Sequence, residues 1–135
     1  MNSNESVEDY LETILMLEEE KTVVRSVDIS KHLGYKKSSV SVAMKKLIEK
    51  GYIQITSQGF IRLTESGREL AEKIYERHKL LSEWFLSLGI SRENALRDAC
   101  RVEHYLSEES FAAIKQYITG EKNETRPELK LVGNK

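Results

Sequence analysis

Ser26-Val27-Asp28-Ile29-Ser30-Lys31-His32-Leu33-Gly34, followed by Tyr35-Lys36-Lys37-Ser38-Ser39-Val40-Ser41-Val42-Ala43-Met44-Lys45-Lys46-Leu47-Ile48-Glu49-Lys50-Gly51, is the stretch whose reading decides the fold. Ser26 is a residue type that caps helix N-termini and Gly34 one that ends helices, so the first segment reads as a short helix. Tyr35-Lys36-Lys37 form a turn. Ser38 or Ser39 then serves as the cap of a second helix, which carries Val40, Met44, Leu47 and Ile48 and stops at Gly51. The pattern is helix, tight turn, helix.

The next residues extend this unit. Residues 52–56 and 60–64 alternate apolar and polar across Ser57-Gln58-Gly59, the signature of a two-stranded hairpin. A hairpin directly after a helix-turn-helix is the wing of a winged helix. The second helix carries Ser38, Ser39, Ser41 and Val42 near its start and Lys45 and Lys46 behind, with Lys36 and Lys37 in the preceding turn. Short polar or methyl-bearing groups suit base edges in the major groove, and flanking lysines suit phosphates. Gln58 at the wing tip is placed to approach the sugar-phosphate backbone. Winged helices also bind proteins, but charge favours double-stranded DNA here. Between Lys31 and Lys50 lie six lysines and one glutamate, a local charge of +5 in a chain of net charge −1.

Outward from this unit the chain reads as helical, so the fold class is mainly α. In residues 6–20, Val7, Leu11, Ile14 and Leu17 form a helical stripe, with Asp9, Glu12 and Met16 on roughly the opposite side. Acids there most simply face solvent near a helix N-terminus. Thr64 offers a cap for a long helix reaching about Leu88, whose stripe of Ala71, Ile74, His78, Leu81, Phe85 and Leu88 has a seven-residue rhythm typical of helix packing. A histidine inside such a stripe is usually a core residue. Ser91 starts a further helix containing Cys100-Arg101-Val102-Glu103-His104, and Ser107 separates it from a last helix with Phe111, Ile114 and Ile118.

If residues 100–104 are helical, thiol, carboxylate and imidazole share a narrow arc, and all three are metal-ligand types. The plain alternative is a buried thiol with Glu103 and His104 in solvent. A thiol enzyme using Cys100 with His104 and Glu103 is disfavoured, because three side chains on one arc point outward together and do not face each other across a reacting atom. One cysteine allows no internal disulfide, and the absence of an apolar leader or membrane-length run predicts a cytoplasmic chain with no membrane partner. The division predicted is 1–64 for DNA binding, 65–120 for a helical metal-binding and dimerisation domain, and 121–135 as a mobile polar tail.

With these pieces in order, the chain from Val7 to Ile118 resembles the diphtheria toxin repressor and manganese transport regulator family of metal-dependent repressors. The resemblance is carried by Glu8-Asp9-Tyr10-Leu11-Glu12, the winged helix, Arg77-His78 and Asp98-Ala99-Cys100-Arg101-Val102-Glu103-His104. It implies a homodimer that binds a palindromic operator when loaded with Mn2+ or Fe2+, using Asp9, Glu12, His78, Cys100, Glu103 and His104. Iron-type members usually place methionine where Asp9 stands, and manganese-type members glutamate where Cys100 stands, so this chain mixes the two patterns. Ser82 and Leu96 replace ligands of the iron-type ancillary site, whereas a two-metal arrangement through Glu12 and His78 stays open. The resemblance is to the short members, so the extra C-terminal domain of the longer members is not expected. Carboxylates favour manganese and a thiolate favours softer iron, cobalt or zinc, so Zn2+ or Co2+ binding in vitro is expected as well. Control of the same winged helix by a non-metal ligand or a protein partner is the alternative reading.

Overall fold

The computed structural model describes residues 3–120, with side chains from Glu5 onward. The mobile tail expected at 121–135 lies outside the described residues. The elements are α1 (Ser3–Glu20), α2 (Ser26–Leu33), α3 (Lys37–Glu49), β1 (Ile53–Ile55), β2 (Ile61–Leu63), α4 (Glu65–Ser87), α5 (Arg92–Val102) and α6 (Glu108–Thr119). The strands pair antiparallel with Ile53 opposite Leu63 and Ile55 opposite Ile61, and Val24 adds a single bridge to Ile61. This is the expected winged helix followed by helices.

Two of the caps expected from sequence are displaced. Ser26 is the first residue of α2; the N-cap is Arg25, whose backbone N–H donates to Asp28 Oδ2 at 2.8 Å. Lys36, not Ser38 or Ser39, caps α3, which leaves both serines exposed on its first turn. Gly34 does end α2, with φ of 73°, a left-handed conformation that costs glycine little. Thr64, Ser91 and Ser107 cap α4, α5 and α6 by accepting hydrogen bonds from Gly67, Asn94 and Ser110 backbone N–H groups.

The core lies inside the winged helix, where Ile29, Val40, Met44, Leu47, Ile53 and Ile61 close around Leu11, Ile14 and Leu17 of α1. Each such side chain contributes about 1.5–3 kcal/mol when fully buried, so apolar contact holds α1 to the winged helix. Its other face is covered too. Residues 10–15 are all buried, because α4 packs along the side where the sequence pattern suggests solvent. Glu12 is accordingly only 6 % exposed. The wing is tied to α4 through Thr64, whose hydroxyl donates to Gly51 O and whose N–H donates to Tyr52 O. Gly67 sits against Tyr52, where a Cβ would collide with the carbonyl.

The stripe on α4 holds from Ala71 through Leu81, but Leu88 is 60 % exposed. The chain turns back at Gly89 into α5, so the end of α4 is left open among the described residues.

Candidate metal centre

Alanines at 95 and 99 form the inner edge of α5 and are fully buried, which lets this helix approach α4 closely. One further step of four residues along that edge is Glu103, and it is 0 % exposed. The helix ends at Val102, yet Glu103 keeps helical dihedrals and donates its N–H to Ala99 O, so the periodicity still places its side chain inward. Buried thiol with outward acid and imidazole is therefore the reverse of what is found. Cys100 is exposed, while the side chains of Glu103 and His104 are buried.

Arg77, one turn of α4 below Leu81, is buried and donates from one terminal nitrogen to Glu103 O at 3.0 Å and Leu106 O at 2.7 Å. Its guanidinium also lies over the Phe111 ring. These bonds satisfy carbonyls at the end of α5 that no helical partner reaches, and they fix the backbone carrying Glu103 and His104.

The ligand-type residues named from sequence come together as two groups sharing one member. Asp9, Cys100, Glu103 and His104 each present a donor atom within 4.8 Å of the others, and so do Glu12, His78 and Glu103. Glu103 Oε1 is 2.9 Å from His78 Nδ1. Its Oε2 is 3.4 Å from His104 Nε2 but has no hydrogen-bond partner among the described residues. His104 lies between two carboxylates of α1, with Nε2 2.8 Å from Asp9 Oδ1 and Nδ1 2.8 Å from Glu8 Oε1. In the sequence Glu8 figures only as part of the stretch 8–12 that carries the resemblance and is given no role of its own there.

Proton affinities show the strain of packing acids together. Burial, reinforced by the neighbouring Glu103 carboxylate, pushes Glu12 up to about 9. Burial also pushes Glu103 up to about 7, against the lowering influence of Glu12 and His104. Burial would lower His104, but its contacts with Asp9, Cys100 and Glu8 outweigh that and raise it to about 12. Protons, in other words, stand where positive charge is wanted. A buried carboxylate oxygen that accepts no hydrogen bond from a described residue, amid hard oxygen donors, imidazoles and one thiol, fits a divalent cation.

The matches to known proteins agree with this geometry. Residues 3–59 match the iron dependent repressor N-terminal DNA binding domain, and residues 64–126 match the iron dependent repressor metal binding and dimerisation domain. The chain belongs to the diphtheria toxin repressor and manganese transport regulator family. Its relatives include an HTH-type transcriptional regulator of Methanocaldococcus jannaschii, 35 % identical over 117 residues that make up 85 % of this chain and 94 % of that one. The transcriptional regulator MntR of Escherichia coli O6:H1 is 35 % identical over 113 residues, 84 % of this chain and 73 % of its own. Among solved structures, a manganese-dependent transcriptional repressor in complex with manganese superposes with a TM-score of 0.76 at 28 % identity over 84 % of this chain. This chain spans about half of that structure's length, 52 %. The family's function class, metal-dependent regulation of transcription through a winged helix, is this chain's class. Among the described residues no helix is long and apolar enough to cross a membrane.

Proposed function

We propose that this chain represses transcription by binding a palindromic operator as a homodimer when Mn2+ or Fe2+ is held by Asp9, Glu12, His78, Cys100, Glu103 and His104. The observation that carries the reading is Glu103, a fully buried carboxylate shared by two donor groups, one of whose oxygens accepts no hydrogen bond from a described residue. A bound divalent cation takes the place of the protons that Glu12, Glu103 and His104 otherwise hold. Asp9 and Glu12 belong to α1, which the winged-helix core grips through Leu11 and Ile14; His78 belongs to α4, and Cys100, Glu103 and His104 to the end of α5. Drawing these donors together through the shared Glu103 fixes α1 against α4 and α5, and with it the direction in which α3 faces. Protons held by Glu12 and His104 in the metal-free chain offset the clustered charge but do not tie α1 to α4 and α5 as a shared cation does, so that chain populates the DNA-competent arrangement less.

On the DNA side, Ser38, Ser39, Ser41, Val42, Lys45 and Lys46 are exposed along α3, with Lys36 and Lys37 at its start and Gln58 exposed at the wing tip. None of these lysines forms an ion pair with a described residue. Dimerisation is supported by large apolar side chains left uncovered at the end of α4, Leu88 at 60 % and Leu86 at 36 % exposure. Two copies of α3 set about one DNA turn, roughly 34 Å, apart read a palindrome. The metal reading follows from the donors, since the carboxylates suit Mn2+ and the Cys100 thiolate draws toward Fe2+.

The test is a gel-shift series on the promoter of the chain's own gene, chelated and then resupplied with Mn2+, Fe2+, Zn2+ or Co2+. Mn2+ or Fe2+ restores the shifted band, and Asp9→Ala and Glu103→Ala lose that response while keeping weak, salt-sensitive binding. Operator binding indifferent to chelator overturns the proposal.

A further inference from the structure

The two ring nitrogens of His104 face different surroundings. Nε2 points to Asp9 Oδ1 at 2.8 Å and toward Glu103 Oε2, the side on which the donors of Asp9, Cys100, Glu103 and His104 converge. Nδ1 points the other way, to Glu8 Oε1 at 2.8 Å. Glu8 is not a member of either convergent donor group, so its carboxylate stands one layer outside them.

We propose that Glu8 is the positioning residue of this site: it accepts the Nδ1–H of His104 and so presents the Nε2 lone pair to the divalent cation. The inference rests on reading the cluster as a metal site, and it adds a residue outside the six ligands. A neutral imidazole has one N–H, and which nitrogen bears it is decided by the partner each nitrogen finds. The His104 side chain is 1 % exposed, so water does not compete for Nδ1. Glu8 and Asp9 are adjacent on α1 and therefore point about 100° apart around the helix, which lets them bracket one ring from its two nitrogen edges. The backbone beneath the ring is held from the opposite side by Arg77, through Glu103 O and Leu106 O. A carboxylate on the far nitrogen also makes the near one a better donor, as an amide acceptor does less strongly.

This arrangement gives Glu8 a role in metal choice as well as affinity. A ring fixed in one tautomer and one rotation favours a cation at a single distance from Nε2. A ring free to flip can offer either nitrogen, and the site then tolerates more metals.

The experiment uses the full chain, with Co2+ titrated by its absorption spectrum and Zn2+ loaded for long-range nitrogen–proton NMR of the His104 ring. The wild type shows Nδ1 protonated and Nε2 bound to metal. Glu8→Ala weakens Co2+ binding roughly 10-fold to 100-fold and leaves the ring in a mixture of tautomers. Glu8→Gln, which keeps an acceptor oxygen, restores the single tautomer with affinity between the two. Wild-type affinity and tautomer in Glu8→Ala overturn the proposal alone, provided Asp9→Ala loses Co2+. Equal loss in Glu8→Gln and Glu8→Ala, with an altered Co2+ spectrum, overturns it in favour of Glu8 as a direct ligand. A wild-type chain that takes up no Co2+ overturns the site reading and this proposal together.

Discussion

Around Leu47 the winged helix buries Leu11, Ile14, Ile29, Val40, Met44, Ile53 and Ile61, every one apolar, whereas the junction of α1, α4 and α5 buries Glu12, Arg77 and Glu103. The two regions meet on one helix, since Leu11 and Glu12 are consecutive. In the first, burial is itself the stabilising term. In the second, burial of carboxylates is unfavourable until protons or a cation offset it, so that region's stability is conditional. The difference teaches where a ligand can act: a switch needs a part of the fold that is incomplete without its effector, attached to a part that is not.

The largest effect expected is in the apolar region. Leu47→Ala should cost about 2–5 kcal/mol of stability, the same with and without metal, because the cavity it leaves is remote in kind from the charged junction. Thermal unfolding of both forms checks this; a loss confined to the metal-loaded form would show the two regions to be one.

Glu103→Gln should separate stability from function. Above about pH 8 the carboxylate is charged and buried, so the neutral amide should stabilise the metal-free chain by roughly 1 kcal/mol or more, read as a higher melting temperature. Metal affinity should fall, on the order of 100-fold, because the shared donor is gone. A variant destabilised without metal would show that Glu103 serves the fold.

The pH response sharpens the contrast further. Glu12, Glu103 and His104 are all raised, from 4.5 to about 9, from 4.5 to about 7 and from 6.5 to about 12. Each group therefore holds more protons folded than unfolded inside its window, and metal-free stability must fall as pH rises: from 4.5 upward for the acids, from 6.5 upward for His104. Ligation requires those protons to leave, so metal binding strengthens in the same direction. The gain in melting temperature on adding Mn2+ should thus be larger at about pH 8 than at about pH 6. Equal gains at both would show that these protons play no part in loading.

Much of the fold is legible in the sequence because its punctuation is local. Thr64, Ser91 and Ser107 cap their helices by bonds three residues away, and Gly34 and Gly120 end theirs in the left-handed region. The α2 cap is harder to read, because Asp28 reaches back to Arg25 and leaves Ser26 inside the helix. The six ligand-type residues are reached through the resemblance, and the structure brings them together, but their burial is not legible. Periodicity supposes one buried face, and α1 is enclosed on two, so Glu12 reads as solvent-facing. Glu8 stands in the stretch that carries the resemblance, but its role is not legible, since its partner His104 is 96 residues further along the chain.

The smallest effect expected is at the DNA surface. Lys45→Ala and Lys46→Ala should each reduce the salt dependence of DNA affinity by about one unit of slope and leave stability unaltered. Unchanged slopes would exclude those exposed lysines from the interface.

The proposed switch is a coupling in which the charged junction and the DNA-binding face share one free energy. It is tested most directly by measuring Mn2+ affinity calorimetrically with and without saturating operator. Operator should tighten Mn2+ binding by the factor by which Mn2+ tightens operator binding, on the order of 5-fold to 150-fold. Mn2+ affinity that is the same with and without operator would contradict the claim.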